Sequence, residues 1–199
     1  MIGPDTCGFD GNTDEELCNR WMQLSAFFPF YRNHNMLGAI PQEAYRWASV
    51  AEASRVAMAI RYSLLPYWYT LFYHASRVGG PTIRPLFYEF PDDPTLADAD
   101  HQFLVGPGVL VTPVTSQGAT TVDGVFPGTE VWYDWYTHEA GEPSGNVTLD
   151  APLGFIPVHV RAGYIIPIQV RNGCDLAEFR NLVTQPRNVV KSRGLSLLH

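Results

Sequence analysis

DTCGFDGNTDEELCNRWMQLSAFFPFYRNHN, running from Asp5 to Asn35, gathers a carboxylate, two cysteines, a histidine and a dense set of aromatic rings near the start of the chain. Thr13 followed three residues later by Glu16 has the form of a capping box, in which each side chain satisfies a backbone N–H of the first helical turn. The pattern predicts a short helix over 14–26 with Leu17, Trp21 and Leu24 on one face. Residues 1–10 read as the end of a strand entering a loop, with the body of that strand expected before Met1. Pro29, Gly38 and Pro41 punctuate the loop-like stretch that follows the helix.

Further along, residues 42–78 carry the strongest helical signal. Apolar positions recur at Tyr45, Ala48, Ala51, Val56, Ile60, Leu64, Leu65 and Trp68. Pro66 lacks an N–H and should kink or split this helix. Gly79, Gly80 and Pro81 end it. TIRPLFYEF (82–90) reads as a strand, and a short helix is expected near 95–104. After Gly106 the character becomes all-β. GVLVTPVT, TTVDGVFP, EVWYDWY, NVTLDA, IPVHVRAG and YIIPIQ are short runs separated by turn residues, the pattern of an antiparallel sandwich. The fold class expected is therefore α/β plus all-β, divided near residue 106.

Composition narrows the function classes. A 46% hydrophobic fraction is enough to build a core, which excludes general disorder. The 13% aromatic content fits a packed core or a site where rings cover a flat ligand. A net charge of −7 excludes nucleic acid as an expected partner. The charge is uneven: residues 1–169 hold eight Arg, no Lys and eighteen carboxylates, a net −10, whereas 170–199 are net +3. The residues after Met1 do not read as a signal peptide, and no run of membrane-spanning length is expected. Three cysteines are too few for a disulfide scaffold, and their spacing fits no zinc pattern, so no metal or cofactor is expected.

Asp5, Phe9 and His34 admit two readings. One is structural: a loop cap, a packed ring and a surface histidine. The other is a sugar pocket. A carboxylate can accept two hydroxyl protons, an imidazole can donate to a third hydroxyl, and an aromatic ring can cover the C–H face of a pyranose.

The run Asp-x-Cys-Gly-Phe, then Glu-Leu-Cys-x-Arg-Trp, then Ala-Phe-x-Pro-Phe-x-Arg-Asn-His resembles the second signature of glycoside hydrolase family 31, the α-glucosidases, most closely secreted fungal ones. The likeness continues through IPQEAYRWASV, IRYSLLPYWYTLFYHA, RPLFYEFPDDP, QFLVGPGVLVTPV, GVFPGTEVWYDWYT and APLGFIPVHVRAGYIIPIQ, and it ends near residue 169. The resemblance implies the C-terminal end of a (β/α)₈ barrel over 1–105, with an active site at the C-terminal ends of its strands. It implies part of a β-sandwich over 106–169. Asp5 and Phe9 would lie at the end of the penultimate barrel strand, 82–90 would be the last strand, and Asp5, Phe9 and His34 would line the subsite for the non-reducing glucose.

The same resemblance implies a Cys7–Cys18 disulfide with Cys174 free, and a secreted parent in which Asn146 of the sole Asn-x-Ser/Thr triplet is glycosylated. It also exposes a gap. Retaining hydrolysis needs two carboxylates. The family's nucleophile lies in a Trp-x-Asp-Met-Asn-Glu-like motif absent from this chain, and its acid/base Asp lies upstream of the signature, before Met1. The expectation is a C-terminal fragment of a retaining α-glucosidase acting on maltose-like ends, inactive alone. The alternatives are a non-catalytic sugar-binding piece and a non-functional truncation product. For 170–199 the expectation is a divergent tail from a translated intron or frameshift, with a genuine divergent tail as the alternative.

Overall fold

Two very short strands organise the first forty residues. In a computed structural model that describes residues 2–141 and 144–169, together with the backbone of 190–192 and 195–198, β1 (Asp5–Thr6) pairs in parallel with β2 (Arg32–Asn33). Asp5 stands opposite Arg32, and Thr6 opposite Asn33. Between them runs α1 (Glu15–Ser25), so the unit is strand, helix, parallel strand. Asp14 caps this helix, its Oδ1 accepting from the Leu17 N–H at 2.9 Å, in place of the expected Thr13. The buried face also differs from expectation. Cys18, Met22 and Ser25 point inward, whereas Leu17 is 45% exposed. The bond between Cys7 and Cys18 pins that side of the helix to the loop after β1.

The long helical stretch divides as Pro66 requires. α2 (Ala48–Ser63) ends at Leu64, and α3 (Leu65–Val78) begins there with Pro66 in its first turn, where a missing N–H costs no hydrogen bond. The inward stripe is Val50, Ala53, Ala57, Ile60, Leu64 and Trp68, while Tyr45 and Leu65 are exposed.

TIRPLFYEF does not form one continuous strand. Ile83–Arg84 form β3, which pairs antiparallel with β4 (Phe103–Val105). Pro85 then starts a helical turn, α4 (Leu86–Glu89), closed by an ion pair between Arg84 and Glu89. The strand parallel to β1 is instead Arg32–Asn33. The helix expected near 95–104 shrinks to one 3₁₀ turn, Pro94–Leu96, whose first N–H groups are met by Asp93.

The six strands expected after Gly106 are all present: β5 (Val109–Val111), β6 (Thr121–Phe126), β7 (Trp132–Asp134), β8 (Gly145–Asp150), β9 (Val158–Arg161) and β10 (Ile166–Ile168). A five-stranded sheet has the order β3-β4-β5-β9-β7, and β6 pairs with β8 as a separate ribbon. Both sheets are antiparallel throughout. β3 and β4, which precede residue 106, thus share one sheet with strands that follow it. β10 pairs with β12 (Leu195–Leu198), which pairs with β11 (Val190–Ser192). The remainder of the 170–199 tail, including Cys174, lies outside the described residues.

Alternation along the central strands builds two cores. Val105, Val109, Val111, Val158 and Val160 face Ala57, Ile60, Leu64, Tyr67 and Leu71 of the helices. Leu104 and Leu110 face the other way, onto Leu86, Leu96, Phe126 and Trp132, beneath the β6–β8 ribbon. The five-stranded sheet is therefore a middle layer, which explains why β5 reads as an unbroken apolar run. Each fully buried Leu or Val contributes about 1.5–3 kcal/mol over its exposed state. The Tyr67 hydroxyl fastens α3 to the β4–β5 turn, donating to the Val105 carbonyl at 2.9 Å and accepting from the Gly108 N–H at 3.2 Å. Gly106 in that turn has φ +57°, and a Cβ there would lie 2.4 Å from the Tyr67 oxygen, so a side chain would be strained and would displace Tyr67.

Candidate active site

Parallel pairing puts the ends of β1 and β2 side by side, and the loops that leave them carry the chemistry. Because Asp5 and Arg32 are register partners, their side chains meet: the Arg32 Nε donates to Asp5 Oδ1 at 2.8 Å, and a second guanidinium nitrogen reaches the same oxygen. Both contacts fall on Oδ1. Asp5 is half-buried, and its neighbour Thr6 is fully buried, bonded through its hydroxyl to Ser25 of α1.

Phe9 lies in the loop after β1. Its ring is 48% exposed, so it does not pack in the core. It sits against His34, which is exposed in the loop after β2, with ring centroids 5.5 Å apart. The sequence-predicted residues thus form two neighbouring pairs on adjacent strand ends, Asp5 with Arg32 and Phe9 with His34. A cavity of about 490 Å³ opens beside them, lined by Tyr31, Asn33, His34, Gln42, Met22 and Met58 among others. Asp5 and Phe9 are not among its lining residues. Burial pushes the Tyr31 phenol up to about 12, so it stays protonated; its hydroxyl donates to the Met22 carbonyl at 3.0 Å.

The loops are stitched to each other. The Met36 N–H donates to the Phe9 carbonyl at 3.0 Å, the Ile40 N–H to Asn12 Oδ1 at 2.9 Å, and the Asn35 amide to the Ile40 carbonyl at 2.9 Å. Cys7 and Cys18 are bonded, with Cα atoms 4.6 Å apart, and both are buried. This covalent link holds the β1 loop against α1. Gln42 crosses from one loop to the other.

Arg32, Asn33 and Gln42 escaped the sequence reading. A signal for Arg32 was present. It lies two residues before His34, and residues two apart on an extended segment share a face. Gln42 left no such trace, because its partners are mostly backbone carbonyls. Asn146, the expected glycosylation position, is exposed in β8, remote from these loops in the chain. Among the described residues, no group of three or more His, Cys, Asp or Glu side chains could hold a metal ion. Among the same residues, no helix is long and apolar enough to cross a membrane.

Comparison with known proteins gives a consistent result. Residues 1–71 match the profile described as the glycosyl hydrolases family 31 TIM-barrel domain, and 79–166 match the glycosyl hydrolase family 31 C-terminal domain. An α-glucosidase of Aspergillus oryzae is 63% identical over 174 residues, which is 85% of this chain and 18% of that protein. Glucoamylase 1 of Schwanniomyces occidentalis is 56% identical over 185 residues, 90% of this chain and 19% of that protein. Among solved structures, a glucosidase II alpha subunit superposes with a TM-score of 0.79 at 40% identity, covering 84% of this chain and 18% of that one. A Flavobacterium johnsoniae dextranase superposes with a TM-score of 0.78 at 35% identity, covering 83% and 21%. The chain thus spans about a fifth of the length of the relatives it matches.

Proposed function

The chain belongs to glycoside hydrolase family 31, and from that premise we propose that it supplies the pocket wall for the non-reducing glucose in a retaining α-glucosidase acting on maltose-like ends. The observation that carries this is the placement of two pairs, Asp5 with Arg32 on paired parallel strands and Phe9 with His34 in the loops that leave them. Arg32 occupies one oxygen of the Asp5 carboxylate and fixes its orientation, leaving Oδ2 to accept from sugar hydroxyls. Phe9, exposed and backed by His34, offers its face to the C–H side of the ring. His34 donates to another hydroxyl.

The chemistry itself comes from elsewhere in the enzyme. One carboxylate attacks the anomeric carbon, while an acid protonates the leaving oxygen and later activates water. None of the 199 residues lies in a Trp-x-Asp-Met-Asn-Glu-like run. In this reading both catalytic carboxylates belong to sequence outside the chain, and the isolated chain hydrolyses no nitrophenyl α-glucoside. The likeness to fungal α-glucosidases further supports a secreted, glycosylated enzyme with Asn146 as the acceptor. That assignment is checked by peptide mass spectrometry of the secreted protein. A second reading, a sugar-binding piece without turnover, is favoured by the same missing motif.

A chimera decides between them. Residues 1–169 replace the matched segment of the Aspergillus oryzae α-glucosidase, and kcat/KM is measured on maltose. The catalytic reading expects an active chimera in which Asp5→Asn lowers kcat/KM about a hundredfold, the loss of one preorganised charged contact. An inactive chimera, or one indifferent to Asp5→Asn, overturns it.

A further inference from the structure

We propose that Gln42 is a positioning residue for the pocket, the group that sets the distance between the loop bearing Phe9 and the loop bearing His34. This rests on the glucose-pocket reading above. Gln42 is 3% exposed, yet it belongs to neither strand nor helix. Its side-chain amide nitrogen, which carries two hydrogens, lies within hydrogen-bond distance of four oxygens on the β1 and β2 sides, which share those two donors. On the β1 side these are the carbonyls of Thr6 and Gly8, each at 3.1 Å. On the β2 side they are Asn33 Oδ1 at 3.1 Å and the His34 carbonyl at 3.4 Å. Asn33 returns the bond, donating from its own amide to the Gln42 carbonyl at 2.7 Å.

Four acceptors around one nitrogen fix which way the amide points, since the flipped form would set oxygen against oxygen. The other half of the same group shows what this arrangement costs. Gln42 Oε1 is buried and, among the described residues, has no hydrogen-bond partner. An unpaired buried acceptor is destabilising, so a residue chosen for stability alone would be apolar or would satisfy both ends. The amide here serves geometry. Gly8 immediately precedes Phe9, and the His34 carbonyl belongs to the histidine itself. The nitrogen therefore bridges the backbone within one residue of both rings, whose centroids lie 5.5 Å apart. A shift of about 1 Å in such groups can lower a rate on the order of a hundredfold.

The test uses the chimera described above, with Gln42→Met, which keeps the length and removes both donors, and Gln42→Glu, which keeps the shape. For Gln42→Met, kcat/KM on maltose should fall on the order of a hundredfold, with the loss in kcat larger than the rise in KM. Gln42→Glu should be as impaired at neutral pH, where a carboxylate faces four oxygens. As the pH falls toward about 4.3, the carboxyl gains a proton to donate, and activity relative to the unsubstituted chimera at the same pH should recover at least tenfold. A residue that merely fills space would show no such recovery. An unsubstituted chimera that is active, with variants that match it, overturns the role of Gln42 alone. Variants whose loss tracks their melting temperature with no recovery at low pH do the same. An unsubstituted chimera that is itself inert overturns the pocket reading and this role together.

Discussion

The loop pair around β1 and β2 and the five-stranded sheet are held by different physics. In the sheet, whole rows of Val and Leu are removed from water on both faces. In the loop pair, the strands are two residues long and the arrangement depends on named polar bonds: Arg32 to Asp5, Gln42 to four oxygens, Asn35 to Ile40, and one disulfide. Apolar burial is non-directional and tolerates small displacements. Hydrogen bonds and a covalent bridge fix atoms in place, which is what the proposed sugar site would demand. The sheet therefore provides stability and the loops provide position, and substitutions in the two regions should fail in different ways.

The largest effect is expected in the sheet. Trp132 is fully buried on β7, stacks with Phe126 and donates from Nε1 to the Pro127 carbonyl at 3.0 Å. Trp132→Ala removes that packing and leaves a cavity, at a cost of about 3–5 kcal/mol. Urea denaturation of the chain measures it, and a cost below about 1 kcal/mol would break the assignment of stability to this layer. In the loops, opening the Cys7–Cys18 bridge by Cys7→Ser with Cys18→Ser should cost about 3 kcal/mol in the chain-entropy model. The damage should be local, seen as faster amide exchange in residues 6–12 while the sheet stays protected. Thiol labelling under denaturing, non-reducing conditions should modify one cysteine of three.

Arg20 tests the seam between the regions. From α1 it donates to the carbonyls of Ala151 at 2.9 Å, Pro152 at 3.0 Å and Ala119 at 2.7 Å, all in turns of the β part. Glu16 adds a bond from the Gly118 N–H at 2.7 Å. Arg20→Lys keeps the charge but cannot reach both sets of carbonyls from one ammonium. The expected cost is about 1.5–3 kcal/mol in denaturation midpoints, the range for hydrogen bonds to charged groups. A null result would mean that the Arg20 bonds add nothing to the docking of the two regions.

The contrast also explains what could be read from the sequence. The six late strands were legible because alternation and turn residues are local signals, and the α2/α3 division was legible because Pro66 has one meaning. Ile83–Arg84 and Arg32–Asn33 were not. A two-residue strand has no period, and the parallel pairing of β1 with β2 is a tertiary fact. The inward face of α1 was misread because a disulfide and buried Ser25 outweigh Leu17 there. At the proposed site, Asp5, Phe9 and His34 were singled out through motif likeness and side-chain chemistry. Gln42 was invisible because the atoms it binds are almost all main chain.

The smallest predicted effect is a pH dependence confined to the sheet. His159 on β9 is buried between Leu110 of β5 and Asp134 of β7, edge-on to Phe126 at 4.7 Å, and its Nδ1 has no hydrogen-bond partner among the described residues. Burial lowers its pKa, and the nearby Asp134 carboxylate opposes that shift only in part. With the folded value below the ordinary 6.5, the unfolded chain takes up a proton first as the pH falls. Stability should therefore decline as the pH drops below about 6.5, and level off for this group once the folded value is passed. Glu130 cannot mimic the effect. Its hydrogen bond to Arg161 lowers its pKa below 4.5, so its stabilisation is lost only in a more acidic window. His159→Phe keeps a ring against Phe126 and removes the titration. The denaturation midpoint of this variant should change less between pH 7.5 and about 5.5 than that of the parent chain. If both chains show the same slope, His159 is not the group that titrates, and the sheet owes none of its acid sensitivity to this buried imidazole.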